Sequence, residues 1–279
     1  MSVKIITDSS CDLPQAMADA LGIEIVPLKI RFGDSEYTDR SDITTSEFWS
    51  KCAASAELPQ TAAPAQGLFA DAYRRAKGAG HSGVVVIGIS LDLSATLQSA
   101  ELGKREVEGE VDVRIVDSRS ASMGLGLTVI ECAERARAGA GIDEIVALAN
   151  DLIPRTNVFA ALDTLENLKK GGRIGGAKAM LATALSIKPL IEVRDGKVEE
   201  AGKARTRSKA LAALVDVLKK HEGRVERLGV LNAQCPDLDA FLAMVKPVYS
   251  GEVIVGDIGA VIGTHAGQGT MGITFRLAK

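Results

Sequence analysis

The sequence predicts a two-domain α/β protein, with a mostly parallel sheet flanked by helices in the N-terminal domain and a mixed α+β C-terminal domain. The chain has 279 residues, enough for two domains with separate cores. Through the first half, short apolar runs alternate with helical patterns, which is typical of a parallel sheet covered by helices. This alternation stops near residues 153–155. We therefore expect domains at residues 1–155 and 156–279, with a ligand in the cleft between them.

The elements of the first half are predicted from apolar patterns and helix-capping residues. Residues 83–89, GVVVIGI, form a continuous apolar run, which is typical of a strand buried on both faces. Thr44 and Glu47 fit a capping box, and Pro14 and Gly22 suit the first turn and the end of a helix. The predicted strands cover residues 4–7, 23–32, 83–89 and 111–116, the helices residues 14–22, 66–76, 93–107 and 121–138 and a segment from residue 44, and residues 58–65 form a loop.

The second half mixes strands and helices without a regular alternation. A hairpin is predicted at Asp195 and Gly196, because Asp-Gly suits a two-residue turn between strands. The predicted strands cover residues 157–162, 189–194, 197–201, 228–232, 253–262 and 273–277, and the helices cover residues 165–170, 177–186, 208–220 and 238–245.

The composition excludes several classes of function. A net charge of −3 argues against a general electrostatic grip on nucleic acid or anionic lipid. Aromatic residues make up only 4% of the chain, so a ligand cavity would be lined mainly by aliphatic side chains. The four isolated cysteines indicate neither a zinc site nor a disulfide framework. No signal peptide and no membrane-spanning stretch is recognised, so we expect a cytoplasmic protein without a metal or a cofactor.

Near the C-terminus, GTHAGQGTMG contains the pattern G-x-G-x-x-G and His265. A dinucleotide-binding loop must open a helix and be followed by an acidic residue about twenty positions later. After Gly272 the sequence predicts a strand and leaves no room for either. We therefore reject the nucleotide hypothesis and expect His265 on a glycine-rich turn between two strands, where a surface histidine is the simplest interpretation.

Polar segments follow several of the predicted strands. Ligands of open α/β sheets bind at the carboxyl ends of the strands, but Asp and Ser also serve in turns and helix caps there. Ser94 and His265 could also form a hydrolase pair, although the G-x-S-x-G nucleophile elbow is absent. The segments in question contain Asp8, Ser9 and Ser10, then Thr61, then Ser94 and Thr96, and then Asp117 and Ser118.

Seven segments, taken in order, resemble the DegV family. Each is weak alone, but together they span nearly the whole chain and are highly specific. They are ITDSSCDLP (6–14), TAAP (61–64), ISLDLSATLQSA (89–100), VDSRSASMGLG (116–126), LENLKKGGRI (165–174), KPLI (188–191) and GTHAGQG (263–269).

The resemblance implies a long-chain, palmitate-like fatty acid buried between two α/β domains, and no chemistry of the chain's own. Members of the family present the acyl carboxylate to a separate fatty acid kinase, which makes acyl phosphate. By the family pattern, Thr61 and Ser94 bind the carboxylate and His265 reaches it from the second domain. Asp117, Ser118 and Thr96 are candidates for support behind these residues, and Arg173 and Arg205 resemble residues that dock the partner.

The sequence departs from the family pattern at four positions, where hydroxyl residues, a glycine and a tyrosine are common. Here those positions are Ala62, Ala65, Ala95 and Leu97. Two alternatives to the kinase-linked fatty acid carrier stay open at this point. One is a lipid esterase that uses Ser94 and His265, and the other is a carrier or sensor of a different lipid or small carboxylate.

Overall fold

The computed structural model describes residues 2–279, except for the side chains of residues 183–186. The strands are β1 (Val3–Asp8), β2 (Glu24–Val26), β3 (Lys29–Phe32), β4 (Ser35–Thr38), β5 (Gln60–Ala62), β6 (Gly83–Gly88), β7 (Val113–Asp117), β8 (Thr156–Ala161), β9 (Lys188–Arg194), β10 (Lys197–Ala204), β11 (Val225–Asn232), β12 (Val253–Asp257) and β13 (Met271–Leu277). The helices are α1 (Gln15–Leu21), α2 (Thr45–Ala54), α3 (Gln66–Gly78), α4 (Thr96–Glu106), α5 (Met123–Arg137), α6 (Ile142–Leu152), α7 (Glu166–Lys170), α8 (Arg207–Lys219), α9 (Leu238–Val245) and α10 (Ala260–Ala266), with 3₁₀ turns at Ser9–Cys11, Ile153–Arg155 and Gly175–Ser186.

The first half forms the predicted parallel sheet, with strand order β2-β1-β6-β7. Side chains alternate between the two faces of each strand, and both faces of this sheet are covered by helices. Ile6 packs with residues of α3 and α4, whereas Ile5 packs with residues of α1, α5 and α6. Strand β6 is buried along its whole length, as its continuous apolar run predicts.

The second half forms a mixed six-stranded sheet of order β10-β9-β8-β13-β11-β12, in which only the β11–β12 pair is parallel among the described strands. One face of this sheet packs on α8 and α9. The other face turns toward α5 and the first half. The hairpin between β9 and β10 is present, and Asp195 and Gly196 both have positive φ angles, of 51° and 82°, as its two-residue turn requires.

The single strand predicted over residues 23–32 is wrong. It is two strands, β2 and β3, and they belong to different sheets. Pro27 lies between them and has no N–H group to continue a ladder. A small antiparallel sheet, β4-β3-β5, uses the second of these strands, and its edge strand β5 lies inside the predicted loop at residues 58–65. Helix α6 was not predicted from the sequence.

The strand predicted over residues 253–262 is wrong in its second part. Strand β12 ends at Asp257, and residues 260–266 form α10, so that His265 lies in the last turn of a helix and not on a turn between strands. Val261 and Ile262 are β-branched and misled the prediction, because a short apolar run does not distinguish a strand from a buried helix. Residues 177–186, predicted to be helical, form most of a 3₁₀ helix at Gly175–Ser186.

The predicted boundary between residues 155 and 156 coincides with the change from one sheet to the other. The largest apolar cluster extends across it, since Met123 and Leu125 of α5 pack together with Leu231 and Val261. The division into two domains therefore stays a prediction. None of the helices in the described residues is long and apolar enough to cross a membrane.

Candidate functional site

A cavity lies between the six-stranded sheet, the carboxyl end of the parallel sheet and α10. It contains about 900 Å³ of space between the protein atoms, a figure that includes open solvent at its mouth. Its walls are mostly aliphatic, as the composition of the chain predicts. The apolar lining residues are Leu28, Ile89, Leu93, Ala121, Val158, Phe159, Ala160, Leu168, Ile191, Val193, Val198, Leu231, Ile258, Val261, Ile262, Ala266 and Gly272.

The floor of the cavity is the face of the six-stranded sheet that is turned toward the first half. Ala160 on β8 pairs in register with Gly272 on β13, and Thr274 follows two residues further along the same face. These small residues leave space above the middle of the sheet. A Cβ atom built on Gly272 would have its nearest neighbours at 3.7 Å, which is ordinary contact. This third glycine of the G-x-G-x-x-G pattern therefore shapes the cavity, whereas Gly267 and Gly269 turn the chain with positive φ.

Three of the predicted residues line the cavity. Thr61 lies on the edge strand β5, Ser94 lies just before α4, and His265 lies at the end of α10. Thr61 Oγ1 and His265 Nε2 are hydrogen-bonded at 2.9 Å. The Ser94 hydroxyl is 2.9 Å from Thr96 Oγ1 and accepts a bond from Thr96 N. We refer to Thr61, Ser94 and His265 as the polar end of the cavity.

The imidazole of His265 is neutral at pH 7. Burial lowers its pKa to about 4, and the positive charge of Arg173 acts in the same direction. Within the described part of the chain, the buried Nδ1 atom of His265 has no hydrogen-bond partner. An orphaned acceptor is less unusual in proteins than an orphaned N–H group, so we assign the proton to Nε2. Nε2 then donates to Thr61 Oγ1, and the hydroxyl proton of Thr61 remains available to a ligand.

Arg173 lies at the mouth of the cavity. Its Nε donates to the carbonyl of Leu93 at 3.1 Å and its Nη1 to the carbonyl of Gly171 at 2.6 Å. The first of these bonds joins the two halves of the chain. Thr61, Arg173 and His265 also border a second, more polar depression on the outer side, so the polar end of the cavity lies close to the protein surface. Arg205 is exposed between β10 and α8.

Asp117 and Ser118 lie elsewhere. Asp117 Oδ1 accepts a bond from the backbone N of Arg119 at 2.8 Å, and Asp117 lines a separate polar depression. The Ser118 hydroxyl bonds to the backbone of Ser120. Both contacts are turn contacts, the simpler of the two interpretations that the sequence left open. Thr96 does support the polar end, through its bond to Ser94.

The four departures from the family pattern lie outside the lining of the cavity. Ala62 and Ala65 are exposed. Ala95 is the N-cap residue of α4 and makes no side-chain cap. Leu97 is 2% exposed and packs in the core of the parallel sheet with α3.

Ser122 and Gly171 contribute to the site and were missed from the sequence. Ser122, in the segment VDSRSASMGLG, lines the cavity wall. Gly171, in LENLKKGGRI, packs against the imidazole of His265, and a Cβ atom built there would overlap Nδ1. The glycine pair at residues 171–172 was a signal of close approach, but nothing in the sequence says what approaches it.

Comparisons with known proteins agree with this architecture. A family model described as "Uncharacterised protein, DegV family COG1307" matches residues 2–277. A DegV domain-containing protein of Deinococcus radiodurans is 36% identical over 278 residues, which are 98% of each chain. A DegV family protein from Thermus thermophilus, whose solved structure is described as showing fatty acid binding, superposes with a TM-score of 0.90, 35% identity and full coverage of both chains.

A third comparison is DegV of Bacillus subtilis, whose structure is described as that of a fatty acid binding protein. It superposes with a TM-score of 0.89, at 25% identity and with full coverage of both chains. The family match extends over nearly the whole sequence, and the resemblance of the seven segments is confirmed. The chain belongs to the DegV family.

Proposed function

We propose that this protein binds a long-chain, palmitate-like fatty acid in the cavity and presents its carboxylate to a fatty acid kinase for acyl phosphate formation. The observation that carries the proposal is the lining of the cavity, an aliphatic trough whose polar residues include Thr61, Ser94 and His265. The fatty acid binding described for the Thermus thermophilus and Bacillus subtilis relatives supports it.

The polar end suits a carboxylate. The Thr61 and Ser94 hydroxyls can each donate one hydrogen bond, and the unpaired N–H groups at the start of α4 lie next to Ser94. Arg173 at the mouth carries a positive charge that would offset the negative charge of the carboxylate. A protonated His265 is therefore not needed to bind it. Each buried methylene of the acyl tail contributes about 0.8 kcal/mol, so the trough supplies most of the affinity.

The kinase step is supported by the position of the polar end. Thr61, Arg173 and His265 border the outer depression, which also exposes Gln60 and Lys170, so a partner protein could reach the carboxylate from there. Exposed Arg205 is a candidate docking residue, and Arg173 would serve both the cavity and the partner. We place this role in the cytoplasm, where a kinase and its nucleotide would meet the protein.

The esterase alternative has less support. His265 Nε2 bonds to Thr61 and the Ser94 hydroxyl bonds to Thr96, so the geometry shows no serine–histidine pair among the described residues. A histidine with a pKa of about 4 is a weak general base at pH 7, and no carboxylate orients its Nδ1 within the described chain. A carrier or sensor of another lipid would use the same trough, and the identity of the bound ligand separates it from our proposal.

The test is mass spectrometry of the purified protein, native and after organic extraction. We expect a mass excess of one fatty acid, and the same acid in the extract. After delipidation and reloading, addition of a fatty acid kinase catalytic subunit and ATP should yield acyl phosphate. A protein that stays ligand-free after incubation with palmitate and oleate would contradict the binding role, and a loaded protein that no such kinase phosphorylates would contradict the presentation role alone.

A further inference from the structure

Two residues with left-handed backbone meet behind the cavity wall. Asp12 has a φ angle of 51° and Ser122 a φ angle of 55° with ψ of −141°, conformations that non-glycine residues rarely adopt. The Ser122 hydroxyl donates to Asp12 Oδ2 at 2.6 Å, and the backbone N of Gly259 donates to Asp12 Oδ1 at 3.0 Å. Asp12 is 3% exposed, so one buried carboxyl connects three segments that are distant in sequence.

Both partners of this carboxyl lie on segments that help to form the cavity. Ser122 lines the wall and is the N-cap residue of α5. Gly259 is the N-cap residue of α10, the helix whose last turn carries His265. The single tryptophan, Trp49, lies beside the start of the same helix. Its Nε1 donates to the carbonyl of Ile258, and its ring packs against α10.

We propose that Asp12 is a positioning residue for the acyl cavity: its carboxylate holds the Ser122 hydroxyl away from the bound chain and fixes the start of the helix that carries His265. The inference rests on the proposed function only for its binding measurement. It gives a role to the second aspartate of ITDSSCDLP and the third serine of VDSRSASMGLG.

The charge state of Asp12 determines where the Ser122 hydroxyl points. In the ionised form both carboxyl oxygens accept, from Ser122 and from Gly259. In the protonated form Oδ2 carries the proton and donates to Ser122 Oγ, so the hydroxyl proton of Ser122 must turn toward the cavity. There it would face an acyl chain that offers no acceptor, and an unsatisfied polar group under an apolar ligand weakens binding.

Asp12 changes between its ionised and protonated forms near neutral pH. Burial raises the pKa of Asp12 from 3.8 to about 7. Among its charged neighbours, Arg40 lowers this pKa and Asp39 raises it. The carboxyl of Asp8 and the thiol of Cys11 are buried in the same cluster, and burial raises the pKa of both. Acyl binding should therefore weaken as the pH falls through about 7, beyond any effect of the ligand's own titration.

Asp12→Asn imitates the protonated form, because the amide oxygen can accept from Gly259 while the NH₂ group donates to Ser122. We expect its dissociation constant for palmitate at pH 8 to be about tenfold higher than that of the natural protein. The ratio of the dissociation constants of Asp12→Asn and the natural protein should fall toward one as the pH drops to 6. Titration of the fatty acid affects both constants equally and so does not change this ratio. Adding Ser122→Ala should restore most of the affinity, because no hydroxyl is left to face the chain.

The controls separate positioning from folding. Asp12→Asn should be no less stable than the natural protein at pH 8, because a pKa raised by burial means that the ionised carboxylate costs stability there. Asp39→Asn removes another buried carboxylate, which contacts neither Ser122 nor Gly259. It should bind palmitate normally at pH 8, and the pH step should move lower because one neighbouring negative charge is gone.

Trp49 gives a second measurement without any ligand. Its emission should change with a midpoint near pH 7 in the natural protein and stay constant in Asp12→Asn. If Asp12→Asn binds palmitate as the natural protein does at every pH, or if Ser122→Ala gives it no rescue, the proposal is wrong. If the natural protein binds no fatty acid, the proposed function fails, and the emission titration alone then decides whether Asp12 fixes α10.

Discussion

At pH 7 the side chain of His265 is a neutral imidazole that donates one hydrogen bond, and not a cation. Because its pKa lies near 4, the imidazole carries no charge at pH 7, and its Nε2–H group orients the Thr61 hydroxyl. In the proposed carrier, Arg173 and the start of α4 would balance the charge of a bound carboxylate. We therefore expect the side chains at the polar end to act mainly by fixing the direction of hydroxyl protons, which single substitutions can test.

Ser94→Ala tests the first of these hydroxyls. Removal of the donor leaves one carboxylate oxygen unpaired, and we expect acyl binding to weaken by roughly 1–3 kcal/mol, measured by calorimetric titration of the delipidated protein. Ser99 lies on α4, just after Ser94, but does not line the cavity, so Ser99→Ala is the matched control. It should bind the fatty acid as the natural protein does. Equal affinities of the two variants would remove Ser94 from the site.

Gly171→Ala tests the position of His265. The backbone φ of Gly171 is −73°, which alanine adopts without strain, so the overlap of the new methyl group with Nδ1 is the main effect. We expect the ring to move away from Thr61 and acyl binding to weaken by about 1–2 kcal/mol. Gly172→Ala is the contrasting variant: its φ of 73° penalises folding, but open space surrounds its Cβ position. A loss of binding in Gly172→Ala alone would contradict this account.

The elements that the sequence predicts well are those with strong local patterns. Strand β6, the capping box at Thr44 and Glu47, and the Asp195–Gly196 hairpin each depend on residues close in sequence. Strand β5 and helix α10 do not, because β5 is a short edge strand that forms only against β3 and α10 is a seven-residue helix packed against α2. Short elements of this kind are defined by tertiary contacts and not by propensity.

The same distinction holds for the site. The family resemblance named Thr61, Ser94 and His265 together, and all three line one cavity, while their role toward a carboxylate stays a prediction. The contact of Gly171 with the imidazole and the bonds from Ser122 and Gly259 to Asp12 join residues about 90 or more positions apart. No pattern in a single sequence reports such pairs, because their spacing in the chain has no relation to their distance in space.

We predict that strand β13 sets the depth of the cavity for a bound acyl chain. Gly272→Val adds two methyl groups and a Cβ atom above the floor, where the neighbouring atoms leave room for Cβ, so the new side chain occupies cavity space and not the core. We expect affinity to fall more for long acyl chains than for short ones, measured over a series of saturated fatty acids from 10 to 18 carbons.

Ile273→Val is the control on the other face of the same strand, where Ile273 packs in the core with α8 and α9. It should lower the free energy of unfolding by about 1 kcal/mol and leave the dependence on chain length unchanged. If Gly272→Val weakens all chain lengths equally, the strand does not define the trough at this position.

The two halves of the molecule are joined by a shared apolar core and by an ionic network beside it. Arg276 on β13 is 7% exposed in its side chain and donates to Glu131 on α5 at 2.6 Å and to Glu226 on β11 at 2.9 Å. Arg227 bonds to Glu134 and approaches Glu131 at 3.3 Å. This network ties the helix that packs on the parallel sheet to two strands of the mixed sheet, far from the polar end of the cavity.

Glu131→Gln should therefore destabilise the whole molecule. Arg276 keeps Glu226 as a partner, so the loss should be about 1–3 kcal/mol, less than for a charge left fully unpaired. The measurement is urea unfolding followed by circular dichroism, and the change should appear in the midpoint without a separate early transition if the halves unfold together. Asp216→Asn breaks an exposed Lys219–Asp216 pair and should change stability by less than about 0.5 kcal/mol. Two separate unfolding transitions in Glu131→Gln would show instead that each half folds on its own and that the ionic network only holds the two halves together. That result would be the first direct support for the predicted domain boundary between residues 155 and 156.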